Sequence, residues 1–146
     1  MNAATPMAGL VPAEAAPPGE GPRIPFIDPA RIVDPAMQAA FETARREGTP
    51  RPESHAIRAH VPAVFWAFQQ AWQTTFREGV CEHAIKELAR LYVSRSVQCD
   101  YCGNQRSHTA FDAASGALSE DDVRELLEFE KSARYSPRQK AALRLA

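Results

Sequence analysis

Residues Glu87 to His108 read E-L-A-R-L-Y-V-S-R-S-V-Q-C-D-Y-C-G-N-Q-R-S-H. Ile85, Leu88, Leu91 and Tyr92 recur at helical spacing, so the first half is a helix with one apolar face, here set at Val80 to Val97. The second half opens another helix on a C-x-x-C pair, Cys99 and Cys102. Thiols in the first turn of a helix face unpaired amides and the positive end of the dipole, which favours the thiolate. In helical geometry Cys99 and Cys102 share a face, and Arg106, four residues on, falls on it as a fixed cation. His108 lies on the other side, by the count of ~100° per residue.

Glu87 precedes Cys99 by twelve positions, and His83 lies four residues before Glu87 on the same face. If that face packs over the cysteine turn, Glu87 can serve as base for a cysteine, with His83 as a relay. The structural alternative for Glu87 is a surface ion pair with Arg90 or Lys86. For His83 it is a solvated or internally satisfied polar residue. Zinc is the competing use of the thiols, through Cys81, His83, Cys99 and Cys102. The spacing argues against it, because Cys81 and His83 point ~200° apart on a helix. No metal and no cofactor is expected, and Cys81 reads as a small apolar residue.

Outward from this stretch the chain is helical. Asp34-Pro35 starts a helix that runs to Gly48, with Met37, Phe41 and Ala44 inward. Thr49 to Pro52 is a linker, and Ser54 caps a short turn. Phe65, Phe68, Trp72 and Phe76 form an aromatic stripe on a helix ending at Gly79, with Trp66 on a second edge. So wide an apolar surface on a small chain suggests burial against another subunit. A fourth helix is expected from Cys102 to about Ala114, ended by Gly116. Ser119 and Ser136-Pro137 cap two more. The last has no stop signal, as if cut short. The class is all-α, as one helical domain over 31–146.

Residues 1–30 carry seven prolines, which preclude a long helix or a central strand, and read as a flexible arm. Ile24, Phe26 and Ile27 are its candidate docking residues. The 146 residues suffice for one modest core. A net charge of −1 gives no footprint for nucleic acid or a membrane surface. No apolar run approaches the ~20 residues of a spanning helix, and the N-terminus lacks the basic and apolar regions of an export signal. The cytoplasm is the expected compartment. There a C-x-x-C pair is catalytic or metal-binding more often than a structural bridge.

Glu87, eleven intervening residues, then Cys99, Tyr101 and Cys102 opening a helix in an all-α chain resembles the carboxymuconolactone decarboxylase / AhpD-like alkylhydroperoxidase family. The resemblance covers about residues 35–146 and is strongest over 80–115. It implies a helical fold that oligomerises, often as trimers or hexamers. For the AhpD-like branch it implies reduction of hydroperoxides by a dithiol/disulfide cycle, fed by a protein or thiol electron donor. Carried over, Cys102 attacks peroxide, Cys99 resolves, and Glu87 begins a proton relay. The family's relay histidine falls at Arg106, which cannot shuttle protons. His108 and His83 are the substitutes on offer. The decarboxylase branch works without the cysteine pair, and a non-catalytic helical module is the third reading.

Overall fold

The computed structural model describes residues 23–112, 114 and 118–146. The chain is all-helical, with no β-strand among the described residues. Residues 1–22 of the expected arm, and Gly116, lie outside them.

α1 (Pro35–Glu47) forms where the sequence predicts. The Asp34 carboxylate accepts from the amides of Ala36 (2.9 Å) and Met37 (3.4 Å), and Pro35 takes the first position, where no amide is needed. Gly48 ends it at φ 73°, donating to the Ala44 carbonyl. A β-carbon at Gly48 would lie 2.3 Å from the Arg106 carbonyl oxygen, so only glycine lets the end of α1 sit on the segment that follows the cysteines. His108 completes this contact, its Nδ1 2.8 Å from the Arg46 carbonyl.

α2 (Pro52–Arg58) packs against α1 and α3 (Pro62–Ala71) against α2, with Phe65 of α3 stacking on Phe41 of α1. Met37, Phe41, Ala56 and Phe65 form one core with Ile27 and Ile32. Burying each large side chain stabilises the fold by about 1.5–3 kcal/mol. Ile27 falls on the arm side of residue 30, yet it is 4% exposed, and its amide donates to Ala56. Ile27, one of the candidate docking residues, is thus part of this core.

α3 does not run regularly to Gly79. From Trp72 to Arg77 it widens into a π-helical turn. The Thr74 and Thr75 hydroxyls donate to the Gln70 and Ala71 carbonyls, and Trp72 packs on Phe76 with centroids 4.3 Å apart. The stripe continues from Phe65 through Phe68, Trp72 and Phe76 to the edge of the His83 ring. Phe65 is fully buried within the chain's own core, while Phe68, Trp72 and Phe76 are half-buried.

α4 (His83–Ser96) is the central helix. Leu88 and Leu91 join a second core with Leu126, Phe129, Tyr135 and Leu143 from the C-terminal part. The single fourth helix of the sequence reading is in fact two short helices, α5 (Asp100–Gly103) and α6 (His108–Phe111), separated by Asn104 to Ser107. α7 (Glu120–Arg124) and α8 (Pro137–Leu145) start on capping boxes, Ser119 with Asp122 and Ser136 with Gln139. Among the described residues no helix is long and apolar enough to cross a membrane.

Candidate functional site

The site is built on the break between α5 and α6. An interrupted helix leaves carbonyls and amides without partners, and burying them unsatisfied costs stability. Here charged side chains take them. Arg90 on α4 donates from Nη1 to the Cys102 carbonyl (2.7 Å) and from Nη2 to the Gln105 carbonyl (2.9 Å). The same guanidinium pairs with both oxygens of Glu87, at 2.7 and 2.8 Å. Glu87 is completely buried, and its Oε1 also accepts from the Ser107 amide (2.8 Å). The pair is thus a buried bidentate bridge closed by backbone, rather than a surface contact.

This places the sequence-predicted residues differently from the expectation. Glu87 touches neither thiol. It reaches Cys102 only through Arg90 and the backbone. Arg106 is not on the cysteine face, because the break removes the helical register on which that placement rested. Its guanidinium pairs with Glu120 (2.8 and 3.2 Å) and donates to the carbonyls of Gly103 and Gln105. His108 is turned to α1. The cation whose charge acts on Cys102 is Arg90.

The two thiols are free and partly exposed. The turn that delivers Cys99 passes through Gln98 at φ 54°, a left-handed conformation uncommon for a residue with a side chain. The Cys102 amide, then the Cys102 thiol, then the Tyr101 amide donate towards the Cys99 sulfur and hold its pKa below the ordinary thiol value. Burial, followed by the hydrogen bond to Cys99 and the charge there, pushes Cys102 up against the opposing pull of Arg90. The more acidic thiol is Cys99. It opens on a cavity of about 570 Å³ with Ser94, Arg95, Gln98, Asp100, Asn104 and Leu127 in its walls.

His83 belongs to a different group. Its Nδ1 lies 3.0 Å from the Phe76 carbonyl, so that nitrogen carries the proton and Nε2 accepts from the Ser107 hydroxyl (2.6 Å). Burial, reinforced by Arg77 and Lys86, lowers its pKa against the Phe76 carbonyl and Glu87. Arg77 joins the group, donating to Glu47 (2.9 Å), Thr109 (2.9 Å), Ser107 (3.3 Å) and the Thr49 carbonyl (2.6 Å). Glu87 and His83 therefore share a partner, but it is Ser107, one by its amide and one by its hydroxyl.

Arg90 and Ser107 are the residues whose part in the site the sequence reading missed. Arg90 entered it only as a surface partner of Glu87. A cation between Leu88 and Leu91, three residues after Glu87, was the available signal.

No curated protein and no solved structure matches the chain. The model of the carboxymuconolactone decarboxylase family matches residues 62–146, which takes in α3, α4, the cysteine turn and everything after it. With more than half of its length matched and its helical fold in agreement, the chain belongs to the carboxymuconolactone decarboxylase family.

Proposed function

We propose that this member of the family is a thiol-dependent oxidoreductase of the AhpD-like kind, which reduces hydroperoxides with the Cys99–Cys102 dithiol. The observation that carries the reading is the pair of free thiols at the start of α5, with Cys99, whose pKa is the one drawn down, opening on a cavity.

The resemblance gives the attack to Cys102, but the local electrostatics favour Cys99. The Cys99 thiolate attacks one peroxide oxygen, the O–O bond breaks, and the alkoxide leaves as an alcohol after taking a proton from water. Cys99 is then a sulfenic acid. Cys102 loses its proton and attacks the Cys99 sulfur. The S–O bond breaks, and hydroxide leaves with that proton as water. One hydroperoxide and two thiols have become one alcohol, one water and one disulfide. A thiol or dithiol donor restores the pair by exchange. Glu87 and Arg90 act as positioning residues, holding the turn by its carbonyls. Arg106 secures the same break from its other side. His83 serves the Ser107 group rather than the thiols. A homo-oligomer of this chain completes the proposal, with the half-buried aromatic row as its contact surface.

Turnover of an alkyl hydroperoxide with dithiothreitol as donor tests this. Cys99→Ser is expected to fall to the level of an enzyme-free control. With the donor left out, Cys102→Ser is expected to consume one equivalent and stop, leaving a Cys99 sulfenic acid that dimedone traps. Wild-type turnover by Cys99→Ser, or no dimedone adduct on Cys99 in Cys102→Ser, sinks the proposal.

A further inference from the structure

The cavity on which Cys99 opens carries two charged residues in its wall, Arg95 and Asp100. Most arginines of the chain pair with a carboxylate, but Arg95 forms no ion pair among the described residues. Its charge reaches Glu120, yet that carboxylate is already held by Arg106, at 2.8 and 3.2 Å. Arg95 Nη1 donates to the Val123 carbonyl (2.9 Å), which fixes the head against α7. The stem lies against α5, where a β-carbon on Gly103 would sit 3.9 Å from Arg95 Cγ. Among the described residues no other acceptor takes the remaining N–H groups. A guanidinium offers five of them, in a planar fork that matches a carboxylate. Arg95 is thus a partly exposed, positioned cation on a cavity shared with the reactive sulfur.

Asp100 gives the cavity a direction. It follows Cys99 directly, is exposed, and its charge acts on the Cys99 sulfur, whereas Arg95 is not among the groups that do so. The thiol end of the cavity is therefore the negative end, and Arg95 is the positive one. A molecule with one negative charge is drawn to Arg95 and kept off the sulfur by Asp100 and by the thiolate itself. What it presents to Cys99 is its uncharged part. A hydroperoxide group is uncharged near neutral pH. The exposed Leu127 adds apolar wall for a carbon chain joining the two.

We propose that the Cys99 cavity selects organic hydroperoxides that carry a carboxylate at the other end of a carbon chain, and that Arg95 is the specificity-determining residue that receives it. The inference rests on the thiol-peroxidase reading above. The bonds made and broken at sulfur are those already given, so the alcohol released is a hydroxy acid.

Initial rates of the full chain with dithiothreitol as donor provide the test, because kcat/KM for the peroxide reports the oxidation of the thiols alone. The probes are 4-hydroperoxy-4-methylpentanoate and 8-hydroperoxy-8-methylnonanoate, each beside its methyl ester. For at least one chain length, kcat/KM should be roughly tenfold higher for the acid than for its ester. Added salt should narrow that gap by slowing the acid only. Arg95→Gln should bring the acid down to its ester and leave the ester nearly unchanged, which also shows that the variant is folded. Arg95→Lys should keep part of the preference. Equal kcat/KM for acid and ester in the wild type overturns the inference and leaves the thiol reading standing. So does an acid preference that salt does not weaken, or one that Arg95→Gln retains in full. If the wild type turns over none of the four probes, the thiol reading falls and this inference with it.

Discussion

His55 shows how far one side chain can be taken from its solution behaviour. Its ring packs against Phe41, Phe65 and Phe68, with centroids 5.6, 5.0 and 6.3 Å away. A charged imidazole there would lose its water and face Arg58, so the pKa falls from 6.5 to about 4. The folded value lies below the unfolded one, so on acidification the unfolded chain binds the proton first. Stability from this residue is complete above about pH 6.5, declines as the pH falls towards 4, and is flat below that. The loss amounts to about 2–3 kcal/mol across the window. Urea unfolding at pH 7.5 and pH 4.5 should show this difference in the wild type. In His55→Phe the part due to residue 55 disappears, leaving the contributions of His83 and the carboxylates. An identical pH dependence in both proteins would mean that His55 titrates normally.

At the scale of elements, the break between α5 and α6 depends on a bridge from α4. Truncating one member leaves the other buried and uncompensated, and this costs about 3–5 kcal/mol. Glu87→Leu and Arg90→Met should each destabilise the fold by that order in denaturant titration. The double substitution should cost clearly less than the two together, since the partners are in contact. Strict additivity would show that the bridge does not hold the turn.

The same break marks where reading from sequence succeeds and where it stops. α1 and the starts of α7 and α8 were legible because their signals are local: Asp34-Pro35 and Gly48 for the first, Ser119 and Ser136-Pro137 for the others; the helix expected to reach Phe129 stops at Arg124 and gives way to a 3-10 turn at Leu126–Glu128. The cysteine pair and Glu87 were legible as a pattern. The division of Cys102–Ala114 was not, because Gln105 and Ser107 take their partners from α4, fifteen and twenty residues back. Arg106 was misplaced for that reason alone. The π turn at Trp72–Arg77 likewise rests on threonine hydroxyls and ring stacking that no periodicity encodes.

For the whole molecule, the two cores divide unequally against the family match. Residues 62–146 contain all of the Leu88–Leu143 core but only Phe65 of the other. They also leave out Glu47 and Thr49, which hold Arg77. A fragment of residues 62–146 would therefore expose Phe65 and strand a half-buried guanidinium. It is expected to lack a cooperative thermal transition in near-ultraviolet circular dichroism. Cooperative melting of the fragment would make the N-terminal helices an accessory rather than part of the fold.

Arg90 grips the cysteine turn by the carbonyls of residues 102 and 105, groups that every amino acid possesses. The mould and the reagent are therefore separate. The side chains at positions 99 and 102 can be exchanged for selenocysteine, for metal-binding groups or for inert serine while the backbone around them keeps its form. A frame of this kind lets one fold host unlike reactions, and it makes the turn a natural cassette for engineering new ones.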